Sequence, residues 1–291
     1  MSPSTRLYSS LWVNYGLRGN KTLNKARLLA SVSILLFLAG CAGLQRDHVQ
    51  SDQLSGCPEQ TASALVAGQN QLGPLTDTHT LKCALTVLRD TQDPAVRRTA
   101  LGSHVCLHLA ERETNQEKRE KLAAEGVGFA EASLAHGDSG EGAVHYYLAA
   151  NLGLAVREHP TLAMGNLGRL EDEMKLALAL SPDIDRGGPL RLLGMLYLKA
   201  PAWPNGIGDR DKALELLGRA AREYPEQPLN HLFYAQALWD EGDEASLIQY
   251  KTEFALGEKL LSEGNWGYNK QPWKKEFDEF RQECGATGPA H

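Results

Sequence analysis

Apolar residues recur at intervals of three and four positions along almost the whole chain after Pro58, which is the spacing of one face of an α-helix. Asp93 followed by Pro94 is a typical helix start. The segments with helical spacing are 81–88, 95–110, 121–135, 143–156, 162–180, 189–199, 210–223, 228–239, 244–261 and 271–283. Extended runs of alternating β-branched residues are absent from the sequence. This pattern predicts an all-α chain of about ten helices, paired by short turns.

The N-terminus has a different pattern. Residues 28–39, LLASVSILLFLA, form an apolar run behind a basic segment. This run is too short to span a membrane and has the length of a signal-peptide core. It ends in Leu38-Ala39-Gly40-Cys41, which resembles a bacterial lipobox. The resemblance implies a lipoprotein signal peptide over residues 1–40, lipidation of Cys41 and a lipidated tether over residues 41–57. An ordinary secretory signal with a nearby cysteine is the alternative.

The predicted lipid modification of Cys41 indicates where the protein is located. Several acyl chains hold a protein on a membrane almost permanently, whereas a single chain does not. Ala42, and not aspartate, follows the cysteine. By resemblance to the sorting of enteric lipoproteins, this residue favours the outer membrane over the inner membrane. We therefore expect a palmitate-bearing outer-membrane lipoprotein that faces the periplasm and contacts the membrane only through its lipid anchor.

The charge and the cysteine content of the chain restrict its possible functions and its covalent structure further. Residues 1–40 contain five of the 30 basic residues and no acidic one, so the remaining 25 basic and 36 acidic residues give a net charge of −11. Such an acidic chain does not suit general nucleic-acid binding. Besides Cys41, the cysteines are Cys57, Cys83, Cys106 and Cys284. An even number in an oxidising envelope predicts at least one disulfide, with three pairings open. The alternative places Cys83 and Cys106 in the core as thiols.

A repeat is visible in residues 190–225. Its first helix contains Leu193, Gly194 and Tyr197, and its second contains small and large apolar residues followed by a proline, at Ala213, Leu217, Ala220 and Pro225. These offsets resemble a tetratricopeptide repeat (TPR). Weaker units start near residues 101, 148 and 228. We therefore expect residues 58–291 to form a TPR-like helical-hairpin solenoid of three to four degenerate repeats. An unrelated helical bundle is the alternative.

The TPR resemblance implies a binding face along the first helix of each pair. The candidate partner-binding residues are Tyr146, Asn151, Arg191, Met195, Lys199, Gln236 and Trp239, together with Trp203 in an inserted loop. Arg191 and Lys199 would offer two cations to a carboxylate or an acidic peptide. Trp203 is an anchor for a partner or a plug at the edge of the repeat. In the alternative interpretation, the tyrosine, Met195 and Trp239 are core residues between repeats.

Catalytic motifs are not found in the sequence. HExxH, GxSxG, P-loop and dinucleotide-binding patterns are absent. The glycine-rich segment 137–142 lies between helical patterns and predicts a turn. His104 and His108 share a helix face, but no third metal ligand is evident. We therefore expect a protein that is not an enzyme and has no cofactor or metal site.

The stretch 194–237 resembles the T component of TRAP transporters (TatT), a family of TPR-like bacterial lipoproteins. The matching segments are Tyr197-Leu198-Lys199-Ala200-Pro201, Gly206-Ile207-Gly208-Asp209, Lys212-Ala213 and residues 229–235. This resemblance implies an accessory envelope protein that binds a periplasmic solute-binding protein, and it implies a homo-oligomer. Gly206-Ile207-Gly208 departs from the double glycine that is usual in the family. A structural scaffold for an envelope assembly and an apolar small-ligand carrier are the alternatives.

Overall fold

The computed structural model describes residues 56–137 and 141–286. Within these ranges the chain forms twelve α-helices and two short 3-10 helices, and its β-structure is a single isolated bridge between Ala202 and Gly208. The all-α prediction is therefore confirmed for the described part of the chain. The predicted signal peptide, Cys41 and nearly all of the tether lie outside the described residues.

The helices follow one another closely along the chain. Their bounds are α1 Ala62–Ala67, α2 Thr78–Asp90, α3 Pro94–Arg97, α4 Leu101–Arg112, α5 Gln116–Ala135, α6 Gly142–Val156, α7 Pro160–Leu180, α8 Gly188–Lys199, α9 Arg210–Glu223, α10 Pro228–Glu241, α11 Glu244–Glu263 and α12 Lys270–Ala286. None of these helices in the described ranges combines the length and the apolar character needed to cross a bilayer.

The segment predicted as one helix over 95–110 is two helices. Asp93 caps α3 by accepting a hydrogen bond from the Ala95 amide, with Pro94 in the first turn, as the sequence predicts. The Thr99 hydroxyl then donates to the Val96 carbonyl at 2.8 Å and accepts from the Leu101 amide at 3.4 Å. A threonine that bonds the backbone in this way competes with helical hydrogen bonds, so the helix stops and α4 starts anew.

The order of packing follows the order of the chain. From α4 to α11 each helix packs against the next, and the alternate helices α4, α6, α8 and α10 also contact one another in sequence. Leucines and alanines fill the space between them, with Ala213 and Ala220 of α9 fully buried. Gly194 of α8 allows a close approach, because a Cβ there would lie 2.6 Å from the Leu217 side chain of α9.

One disulfide ties the start of the described chain to α2. Cys57 and Cys83 are bonded, with their Cα atoms 5.5 Å apart. Cys106 and Cys284 are thiols. Burial raises the pKa of the Cys106 thiol far above its usual value, and burial followed by the nearby Glu283 charge raises that of Cys284 to about 11. The described part of the chain therefore contains one disulfide, Cys57–Cys83, and the alternative of a thiol in the core holds for Cys106 but not for Cys83.

We expect the double substitution of Cys57 and Cys83 by serine to lower the free energy of unfolding by about 3 kcal/mol. The bond closes a loop of 26 residues and so restricts the unfolded chain. Urea unfolding followed by circular dichroism measures the change. Cys284→Ser is the matched control and is expected to stay near wild type. Equal stability of the double variant and the control would contradict the structural role of this disulfide.

Candidate functional site

Two of the eight candidate residues carry a charge, Arg191 and Lys199, and Arg191 is fully buried, with 0% of its surface exposed. Its guanidinium donates to the Asp185 carboxylate and, through Nη1 at 2.8 Å, to Oδ1 of Asn230. Both terminal nitrogens also lie 3.3 Å from the Asp185 carbonyl oxygen. These contacts join α8 to α10 and to the turn that precedes α8.

This turn between α7 and α8 has an unusual backbone. Asp185, Arg186 and Gly187 have φ angles of 48°, 52° and 81°, in the left-handed region that non-glycine residues rarely adopt. Asn230 helps to hold the turn, because its Nδ2 donates to the Arg186 carbonyl at 3.1 Å. The same amide donates to the Tyr224 carbonyl at 3.0 Å, at the end of α9. Arg191 and Asn230 thus join α8, the turn before α8 and the end of α9 to α10.

Tyr146 contacts the same carboxylate from α6. Its hydroxyl donates to Oδ2 of Asp185 at 3.0 Å, and its side chain is buried. Burial, reinforced by the Asp185 charge, raises the pKa of Tyr146 well above its usual value. The phenol therefore remains a neutral hydrogen-bond donor.

Asn151 is also buried, at the meeting of α4, α5 and α6. Its Nδ2 donates to the carbonyl oxygens of Ser103 and Tyr147, both at 2.9 Å. Gly126 leaves the space for it, because a Cβ on Gly126 would lie 2.5 Å from the Asn151 amide carbon. Asn151 of α6 therefore contacts α4 through its hydrogen bond to Ser103 and α5 through its packing on Gly126.

Met195, Gln236 and Trp239 lie within the packing of α8, α10 and α11. All three are less than a tenth exposed, and Trp239 contacts Tyr250 edge to face with ring centroids 5.0 Å apart. The cavity at Met195 has a volume of about 30 Å³, which is room for roughly one water molecule. Their burial agrees with the alternative interpretation of Met195 and Trp239 as core residues, and direct contact of these side chains with a partner stays a prediction.

Lys199 and Trp203 are the candidates with access to solvent. Lys199 ends α8, and its ammonium lies 3.5 Å from an Asp240 carboxylate oxygen. Trp203 is 85% exposed in the loop between α8 and α9. Arg191 and Lys199 thus each face a carboxylate of the chain itself, and Trp203 is the candidate best placed to meet a partner.

The loop that presents Trp203 is held by its own backbone. The Gly208 amide donates to the Pro201 carbonyl at 2.8 Å, and the Asp209 amide donates to the Tyr197 carbonyl at 3.0 Å. A Cβ on Gly208 would overlap the Ala200 carbonyl oxygen, so this position needs glycine. The indole is therefore displayed on an ordered loop, which limits the entropy lost when a partner binds.

His104 and His108 lie side by side, as their spacing predicts. Their Nε2 atoms are 2.9 Å apart, so one ring donates a hydrogen bond to the other, and the His104 ring stacks on Tyr147. In the described ranges, the group of three side chains whose metal-binding atoms lie within 4.8 Å of one another is Cys57, His79 and Cys83. The sulfur atoms of that group are joined in the disulfide.

Comparison with known protein families and with curated proteins finds no significant match to this chain.

Sequence reasoning missed the residues that complete the Arg191 cluster. Asp185 comes from the turn before α8, whereas Asn230 comes from α10 and meets Arg191 only when α8 packs against α10. The segment 183–187, Asp-Ile-Asp-Arg-Gly, carried a turn signal in its glycine and aspartates. No signal in the sequence linked that turn to Asn230.

We expect Arg191→Met to lower the free energy of unfolding by about 3 kcal/mol, because it removes the cation that Asp185 and Asn230 surround. Lys199→Met, on the same helix, is the control and is expected to change stability by less than about 1 kcal/mol. Chemical denaturation of both variants measures the difference. Similar stability of the two variants would show that Arg191 is not a structural residue.

The stability of the protein is expected to fall as the pH drops from about 6.5 towards 3. Burial, followed by the nearby His108, lowers the pKa of His104 to about 3, so the unfolded chain takes up a proton that the folded chain does not. His104→Gln is expected to reduce the loss between pH 7 and pH 4.5 by about 1–3 kcal/mol. Urea unfolding at the two pH values checks this. The exposed His136, changed to Gln, is the control, and an equal acid loss in both variants would contradict the assignment.

Proposed function

We propose that this chain is a non-catalytic, lipid-anchored periplasmic module that binds another protein through the loop containing Trp203. The observation that carries the proposal is the exposure of this large aromatic side chain, 85%, on an ordered loop. Tryptophan is enriched among the residues that dominate binding energy at protein interfaces.

The arrangement of the helices supports a TPR-like repeat solenoid. The pairs α4–α5, α6–α7, α8–α9 and α10–α11 pack within themselves, and the first helices of the pairs contact one another in order. Gly194 and the buried Ala213 and Ala220 occupy the positions where a TPR needs small residues. Four hairpins stacked in this way would share one core and leave helix surfaces and loops for binding.

The proposed partner is the periplasmic solute-binding protein of a TRAP-type uptake system. The segments that resemble the TRAP T component, Tyr197–Pro201 and Gly206–Asp209, flank Trp203 on both sides. In the fold they form the end of α8 and the hydrogen-bonded base of the loop. The lipobox supports a periplasmic location, which such a partner would share, since the acylated Cys41 would hold the chain at the membrane.

We expect a photo-crosslinking amino acid at position 203 to capture one solute-binding protein in intact cells, identified by mass spectrometry. The same amino acid at position 162 is the control, because Leu162 is also exposed but lies on α7. With the two purified proteins, Trp203→Ala is expected to weaken binding at least about tenfold, because it removes the anchor. Its thermal unfolding is expected to match wild type.

Two results would contradict the proposed function. One is equal affinity of wild type and Trp203→Ala for the captured protein. The other is crosslinking at position 203 to an envelope assembly machine, or to no protein above the level at position 162. The first would reject docking through Trp203, and the second would favour the scaffold or carrier functions.

A further inference from the structure

A cleft of about 620 Å³ opens near the first helices, away from the residues of the proposed docking loop. Its walls come from α2, α3, the turn between α3 and α4, the start of α4, and α5. The lining residues on which the argument rests are Leu88, Arg89, Arg97, Glu125, Gly128 and Phe129. A volume of this size lies in the range of small-molecule sites in proteins.

Apolar atoms form the larger part of the lining of the cleft, and polar atoms form the rest. Leu88 and Val96 are buried, and the Phe129 ring packs against the same core cluster. Gly102 brings this ring close to α4, since a Cβ on Gly102 would overlap the ring. Gly128 has no atom within 4 Å of the position where its Cβ would lie, so the space beside it is empty. Gly128 is an exposed residue of the lining, so a larger residue there adds bulk beside the cleft without displacing its neighbours.

The charges at the mouth do not cancel. Arg89 binds Glu125 through two hydrogen bonds of 2.6 Å, so these two groups neutralise each other. Arg97 is exposed, and its Nε donates to the Thr91 carbonyl at 3.2 Å. Among the described residues, no carboxylate forms an ion pair with Arg97. The lining, which is mainly apolar, thus carries one net positive charge.

We propose that this cleft binds a small organic monocarboxylate. Its carboxylate would accept hydrogen bonds from Arg97, whose planar guanidinium suits that group. Its apolar body would lie against Phe129 and Leu88, where apolar area is removed from water. This site shares no residue with the Trp203 loop, so it stands or falls independently of the proposed docking function.

The test uses three carboxylate probes, 4-phenylbutyrate, octanoate and indole-3-acetate. The uncharged amide of the first, 4-phenylbutanamide, is the control for the charge. We expect calorimetry on the purified protein to show one site for at least one of the carboxylates, with the amide bound at least about tenfold more weakly than 4-phenylbutyrate if that probe binds. Arg97→Gln is expected to weaken carboxylate binding by a similar factor, because it removes the cation and keeps a polar side chain at this position.

Gly128→Leu tests the location of the site. It is expected to weaken carboxylate binding at least about tenfold, because its side chain adds bulk to the lining of the cleft. Gly165→Leu is the matched control, because Gly165 is a helical glycine of α7 that also has open space at its Cβ position. Thermal unfolding of both leucine variants checks that they are folded, and Trp203→Ala is expected to bind the carboxylate as wild type does.

The proposal is overturned if none of the three carboxylates binds. It is also overturned if Gly128→Leu, when folded, binds as tightly as Gly165→Leu. If Gly128→Leu does not fold, Arg97→Gln decides the question, because Arg97 is exposed and its removal leaves the core unchanged. Unchanged carboxylate affinity in Arg97→Gln would then reject the site.

Discussion

The ion pair between Arg191 and Asp185 is the constraint on which the middle of the chain depends. A buried guanidinium must be surrounded by acceptors, and here those acceptors come from the turn before α8 and from Asn230 of α10. Tyr146 reaches the same carboxylate from α6. Because one cation satisfies these groups together, α6, α8 and α10 have little freedom to shift against one another.

The loop that carries Trp203 is positioned by this arrangement. It starts directly after α8, the helix that Arg191 fixes, and its backbone bonds return to Tyr197 near the end of the same helix. Leu216 and Leu217 of α9 pack against α8 beyond the loop. A rigid base at both ends allows an indole to remain exposed without collapsing onto the core. Within the pair α8–α9, buried residues such as Leu217 therefore pack the helices together, whereas Trp203 remains exposed in the loop between them.

The two proposed sites use parts of the chain that packing leaves open. Trp203 projects from the loop between α8 and α9, and Gly128 lines the cleft formed by the first helices. Glycine in the middle of a helix costs roughly 1 kcal/mol relative to alanine. Gly126 has a packing reason in its contact with Asn151, whereas Gly128 has none within 4 Å.

The sequence by itself determined the helical class and most helix positions, because apolar spacing and local caps such as Asp93 act over a few residues. It also identified Trp203 as an outlier. It did not predict which cysteine pairs with Cys57, that Arg191 is buried, or that a cleft lies beside Gly128. Each of these depends on residues far apart in the chain that meet only when helices pack. The pairing of Cys57 with Cys83, and of Arg191 with Asn230, is decided by tertiary geometry.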